Sequence, residues 1–563
     1  MSWKALVEEK RQRQAASIPQ DWLIKTPPAS QLDVIPVPAE CGLLSPQELE
    51  ITDTIDVGVL LRKLASGEWS AVEVTTAFYK RAIVAHQLVN CLTEIFVEKA
   101  LARAAELDAY LKTNGKVVGP LHGLPISLKD QHRIKGLETT MGYVSWIGQY
   151  ADKNSVLVDV LYEAGAVPFV QTNVPQTLMW PETFNNVFGR TLNPHNRTLT
   201  SGGSSGGEGA LIALRGSPLG VGSDVGGSIR IPSTFNGLYG LRPSFNRVPY
   251  AGATNSLEGQ ESVVSVFGPI SNSLNGIKLF MQAVIAGKPW LKDPRALRKV
   301  WDDDAYALGD HGGGKGLCFG ILWDDGQVVP HPPVRRALEM VQAAIQNAGH
   351  KVVKWEPFKH KEICTLLPKI WNAASAEDFE AVTSAIKEPI ISSMVPSEDD
   401  STIETEVSLF RPDEKDKGIS AYQMWQLHKE LLSLRQEYLD HWEGTVSITG
   451  TGRPVDAIIC PSAPYAAPPH GKNWNVDYTM VWNSLDSVAC VVPVTKVDIS
   501  RDVATQREGT FYSDIDKRHF ESYDPEIYTN APIGVQVIGR PQEEEAVIAM
   551  AEIIDAALSG FKK

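Results

Sequence analysis

Along the chain, a helical spacing of apolar and polar positions gives way after about residue 120 to an alternation of short apolar runs with helical periods. Residues 3–16 have the pattern of an amphipathic helix, and a Pro-rich extended stretch, TPPASQLDVIPVPAE, follows. Ser70 with Glu73 makes a capping-box pattern that predicts a helix through VTTAFYKRAIVAHQL. VEKALARAAELDAYLKT predicts another, stopped at Asn114-Gly115. GLPISLKD (123–130) then reads as a buried strand. Asn154 is the expected cap of SVLVDVLYEA, Gly165 its end, and AVPFVQT (166–172) the next strand. GLCFGILWD, a helix through PPVRRALEMVQAAIQNAGH, and KVVKWEP continue the series. VDAIICPSAP, VACVVPVT, IGVQVIGRP and a helical EEEAVIAMAEIIDAALSG complete it. Apolar runs without polar alternation are covered on both faces. The expected fold is therefore α/β: a large, mixed, mostly parallel sheet between helices, with residues 1–65 as a helical and extended decoration and 66–563 as one domain.

Composition sharpens this in a few respects. With 563 residues, 43% of them hydrophobic and 21% charged, a large core is affordable and global disorder is not expected. The net charge of −14 argues against a general nucleic-acid binder, which needs a basic face. Six cysteines are scattered without a C-x-x-C pair and read as buried, reduced thiols. MSWKALVEEKRQRQ has no apolar core of a secretory signal, and no run of 18 apolar residues predicts a membrane span, so a cytoplasmic location is expected. The acidic stretch 394–419 reads as a solvated surface excursion, with a lid as the alternative.

The chemistry concentrates in SGGSSGGEGALIALRGSPLGVGSDVGGSIRIP (201–232), where glycines and serines flank apolar runs. A flexible linker does not contain ALIALR and PLGVG. A phosphate cradle lacks the G-x-x-x-x-G-K-[ST] pattern, and Gly220-Val-Gly222 does not continue as a dinucleotide fingerprint. GSSGG matches a nucleophile elbow centred on Ser205, but the NPHNRTLTS before it is loop rather than strand. What remains is a loop whose amides converge on a cavity. PLGVGSD is a short strand, GGSIRIPSTF begins a helix or tight turn, and Ser228 is the candidate nucleophile between them. No histidine stands nearby as its base. Lys129, at the end of an apolar strand, is the alternative base if desolvated; a plain pairing with Asp130 is the competing reading.

GLPISLKD, GGSSGGEGA and GVGSDVGGSIRIP, in this order, resemble the amidase signature family. The resemblance is strongest over 66–275 and runs more weakly onward; PLHGLPISLKDQ, MGYVSW, VPQTLM and the PHPP segment resemble its fungal acetamidase branch. It implies a Ser–cis-Ser–Lys triad acting through an acyl-enzyme, with Ser228 as nucleophile, Ser204 as the bridging serine after a cis Gly203–Ser204 bond, and Lys129 as base. It further implies an oxyanion hole from the backbone N–H groups of Val225, Gly226, Gly227 and Ser228, and support from Ser205, Asp224 and Arg230. The acyl pocket would include Leu178, Met179 and Trp180, with contributions from 460–468 and 481–488. The implied substrate is a small-molecule amide, with no metal and no organic cofactor. Indoleacetamides, carbamates, fatty amides, or an ammonia-passing amidotransferase subunit are the alternatives, and a homodimer through the N-terminal helices is a further expectation.

Overall fold

The computed structural model describes residues 2–394, 418–507 and 509–561. The acidic 394–419 excursion therefore lies, apart from its ends, outside the described residues.

The strands are β1 (Leu92–Ile95), β2 (Pro125–Lys129), β3 (Val167–Thr172), the two-residue β4 (Phe184–Asn185) and β5 (Gly189–Arg190), β6 (Leu219–Asp224) and β7 (Tyr239–Arg242). They continue as β8 (Val266–Ser271), β9 (Cys318–Ile321), β10 (Lys351–Lys354), β11 (Ala457–Cys460), β12 (Ala489–Lys496) and β13 (Pro532–Ile538). β4 and β5 pair with each other; the rest form one eleven-stranded sheet in the order β1-β3-β2-β6-β8-β7-β12-β13-β11-β9-β10. The mixed sheet flanked by helices is as expected, but its strand directions are not. Only β3-β2, β2-β6, β11-β9 and β9-β10 pair in parallel; the six other neighbours are antiparallel. A fully buried antiparallel strand carries the same unbroken apolar run as a parallel one, so the run reports burial and not direction.

Local signals placed the helices well. Ser70 accepts from the Glu73 amide and Glu73 answers the Ser70 amide, opening a helix at Ala71–Val89. Gly115, left-handed, ends the helix Val97–Asn114. The helix Val156–Glu163 is entered from Ser155 rather than Asn154, whose Oδ1 instead accepts from the Lys135 amide at 2.7 Å.

The N-terminal residues share the main core: Trp22, Val34, Ile51 and Leu60 belong to the same buried apolar cluster as Leu128 and Val221. Lys10, on the helix Trp3–Ala16, is buried between Glu94 and Glu138, and Arg13 bonds Glu138 at 2.8 Å. No described helix is long and apolar enough to cross a membrane.

Candidate active site

Three neighbouring pieces of chain build the site. β2 ends at Lys129, the turn before the helix Gly206–Ala213 carries Ser204 and Ser205, and the turn after β6 carries Ser228. β2 and β6 are adjacent parallel strands, with Ser127 opposite Gly220, so their C-terminal ends open at the same edge of the sheet. That is where an α/β sheet presents a site.

Lys129 is fully buried, and its Nζ lies 2.6 Å from Ser204 Oγ and 2.7 Å from Ser223 Oγ. The competing pairing with Asp130 is not formed: Asp130 turns to the Thr140 hydroxyl at 2.9 Å and the Met141 amide at 3.2 Å. Burial pulls the Lys129 ammonium down to about 7, against the attraction of Asp224 and Glu208. Glu208 is one of the two carboxyl groups that favour the charged form of Lys129. Burial raises its own carboxyl to about 8, only tempered by hydroxyl donors from Ser127 (2.6 Å) and Thr172 (2.9 Å). Gly220 makes room for this carboxyl, since a Cβ there would collide with Glu208 Oε2.

The Gly203–Ser204 peptide is cis, as the resemblance implies. Ser205 ties the two turns together. Its amide donates to the Ser228 carbonyl at 3.2 Å, and its hydroxyl exchanges 3.3 Å contacts with the Ser223 backbone.

Asp224 and Arg230 form a fully buried pair behind the Ser228 turn. The Arg230 Nε and Nη2 each donate to Asp224 at 3.0 Å, and Asn483 Nδ2 adds a 2.8 Å bond. Burial alone would push the Asp224 carboxyl up, but Arg230, with Arg242 and Asn483, outweighs it and holds the carboxyl well below the usual carboxylate range. Asp224 also receives the Gly227 amide at 2.8 Å and the Ile229 amide at 3.1 Å. The Gly227 N–H is thus bonded to Asp224. Gly227 itself sits at φ +136°, with Thr479 packed where a Cβ would go. Thr479 Oγ1 donates to the Gly226 carbonyl at 2.6 Å and fixes the Gly226–Gly227 peptide.

Ser228 lines two cavities. One, of about 90 Å³, is polar; Ser204, Ser223, Asn255, Gln260 and Arg295 are among its walls. The other, of about 20 Å³, is apolar and is walled by Trp180, Ile231, Trp371 and Val476. Leu178 and Met179 face both, whereas Trp180 faces only the smaller. Thr177 and Leu178 are both left-handed, at φ 72° and 62°, a cost for residues with side chains that places the turn against the site.

The sequence reading missed Ser223, Thr479 and Trp371. Ser223 stands inside the quoted GVGSD, and the strand period sets it on the face opposite Asp224. The others come from remote helices, and no local spacing marks them; the 481–488 stretch does supply Asn483. Among the described residues, no group of three His, Cys, Asp or Glu side chains is disposed to hold a metal.

The sequence model of the Amidase family matches residues 73–548. The chain belongs to the amidase family. It is 44% identical to an acetamidase of Emericella nidulans over 560 residues, covering 99% of this chain and 98% of that one. It is equally similar to an acetamidase of Aspergillus oryzae, covering 99% of each. Among solved structures, a fatty acid amide hydrolase superposes with a TM-score of 0.89 at 34% identity, covering 98% of this chain and 95% of that one. This amidase is accordingly an amide-hydrolysing enzyme, and the amidase fold is what brings Lys129, Ser204 and Ser228 to one sheet edge.

Proposed function

We propose that this amidase cleaves short-chain carboxamides of the acetamide kind to the carboxylic acid and ammonia through a Ser228 acyl-enzyme. The observation that carries the reading is Lys129, fully buried, drawn down to about 7 and 2.6 Å from Ser204, beside a cavity that Ser204 shares with Ser228. Neutral Lys129 takes the Ser204 proton as Ser204 takes that of Ser228, and Ser228 Oγ attacks the amide carbonyl. One Nζ hydrogen goes to Ser223, which leaves the lone pair aimed at Ser204. With the Gly227 amide held by Asp224, the amides of Val225, Gly226 and Ser228 receive the tetrahedral oxyanion; one such donor is worth ~10²–10³ in rate. Ser204 returns its proton to the departing nitrogen, because an amide anion does not leave unprotonated. Water then repeats the sequence on the ester. Every step moves protons and an acyl group, so the chemistry calls for no cofactor.

The two cavities support a short acyl group. The apolar one is the smaller, about 20 Å³ against about 90 Å³ for the polar one. The test is ammonia release from acetamide, propionamide, benzamide, indole-3-acetamide, a long-chain amide and a carbamate, by wild type and by Ser228→Ala. Turnover of the smallest amides, lost in Ser228→Ala, is expected. Retained turnover in a folded Ser228→Ala protein removes the nucleophile, and preference for a bulky acyl group removes the substrate class.

A further inference from the structure

The indole of Trp371 stands between two spaces of very different size. It is buried at the end of the helix His360–Trp371. Its ring edge lies on the Ser228 turn: a Cβ at Gly226 would be 2.9 Å from Trp371 Cη2. On this side it walls the 20 Å³ apolar cavity beside Ser228. Trp371 also lines a cleft of about 580 Å³, whose other walls include Leu257, Gln260 and, from the helix Ala421–Glu443, Met424, Leu431 and Arg435. The polar cavity reaches the border of the same cleft through Leu257 to Gln260. A small apolar cavity and a space large enough for a long chain thus share one side chain as a common wall.

We propose that Trp371 sets the acyl-length limit of this amidase, the indole standing between the small apolar cavity at Ser228 and the large cleft, so that a smaller residue at 371 admits longer aliphatic acyl groups. The inference rests on the acyl-enzyme reading above, since it needs the acyl chain to leave Ser228 toward the apolar cavity. An extra methylene that does not fit an apolar pocket is discriminated by about 10–200-fold. The acyl series acetamide, butyramide, hexanamide therefore reads the wall directly.

The experiment measures kcat/KM for these three amides with wild type, Trp371→Phe and Trp371→Ala, each checked by thermal melting. The hexanamide-to-acetamide ratio is expected to rise by about tenfold or more in Trp371→Ala, and the butyramide-to-acetamide ratio by a smaller factor in Trp371→Phe. A merely structural tryptophan lowers all three rates together and leaves the ratios in place; that result overturns the proposal. If Trp371→Ala unfolds, Trp371→Phe decides by the butyramide ratio alone. Ser228→Ala is run on the same series. Activity retained there sinks the acyl-enzyme reading itself, whereas activity lost there with unchanged ratios in the Trp371 variants sinks only the wall.

Discussion

Lys129 Nζ sits 2.6 Å from Ser204 Oγ with none of the lysine exposed to solvent. A charged ammonium is poorly tolerated in such a place, and the neutral amine it favours is a base. Lys129→Met keeps the buried stem and removes the amine, so we expect acetamide turnover to fall by at least about 10³-fold with the melting temperature held or raised, because a desolvated polar group is gone. Lys129→Arg is expected to be as inactive, since a guanidinium does not give up its proton. Ammonia release and a melting curve check both; substantial activity in the arginine variant would falsify the base assignment.

The same burial fixes a pH limb. In the proposed mechanism the free enzyme needs Lys129 neutral, and its ammonium is drawn down to about 7. Protonation below that value disarms the base, so kcat/KM is expected to climb tenfold per pH unit below about 7 and level off above it. Glu208 attracts the Lys129 charge, so Glu208→Gln should move the limb to lower pH. A profile flat from pH 5 to 8, or a limb displaced to higher pH in Glu208→Gln, contradicts this account.

Thr479 holds the Gly226 carbonyl at 2.6 Å, while its neighbour Trp371 packs on the same turn. Thr479→Val keeps the shape and leaves that carbonyl without its hydroxyl donor, a loss of about 1–3 kcal/mol. The turn bearing the Val225 and Ser228 amides should lose its set, and we expect kcat to drop by about tenfold or more while KM changes little. Steady-state kinetics on acetamide would show the opposite split, a raised KM with kcat unchanged, if Thr479 acted only on ground-state binding.

Asp224→Ala addresses stability. Arg230 is fully buried and shares two 3.0 Å bonds with Asp224. Removing the carboxylate leaves a guanidinium uncompensated and frees the Gly227 and Ile229 amides, for a cost of about 3–5 kcal/mol. Urea unfolding should show that loss, with catalysis falling as well because the Ser228 turn is no longer anchored. A variant as stable as wild type would mean that Asn483 and Gln536, which also bond Arg230, carry the site without Asp224.

Much of this amidase could be read from its residues in order. Ser70 and Glu73 opened a helix, Gly115 closed one, and a lysine at the end of an apolar strand marked a desolvated amine. These are properties of short stretches, set by capping hydrogen bonds, backbone freedom and the cost of burying charge, and they act before any distant contact is made. The serines at 204 and 228 were legible because their loops carry motifs. The tertiary structure alone decided the rest. Six of the ten strand pairs in the eleven-stranded sheet run antiparallel, since direction depends on how the connections cross and not on the apolar content of a strand. The Gly227 amide belongs to Asp224 because Arg230 and Asn483 fix that carboxylate. Thr479 and Trp371, some 250 and 145 residues from Gly226, meet it only when the sheet has closed. Local patterns set what each segment becomes and which side chains have to be buried; which of them then touch is a matter of long-range packing, and that packing shapes the pocket.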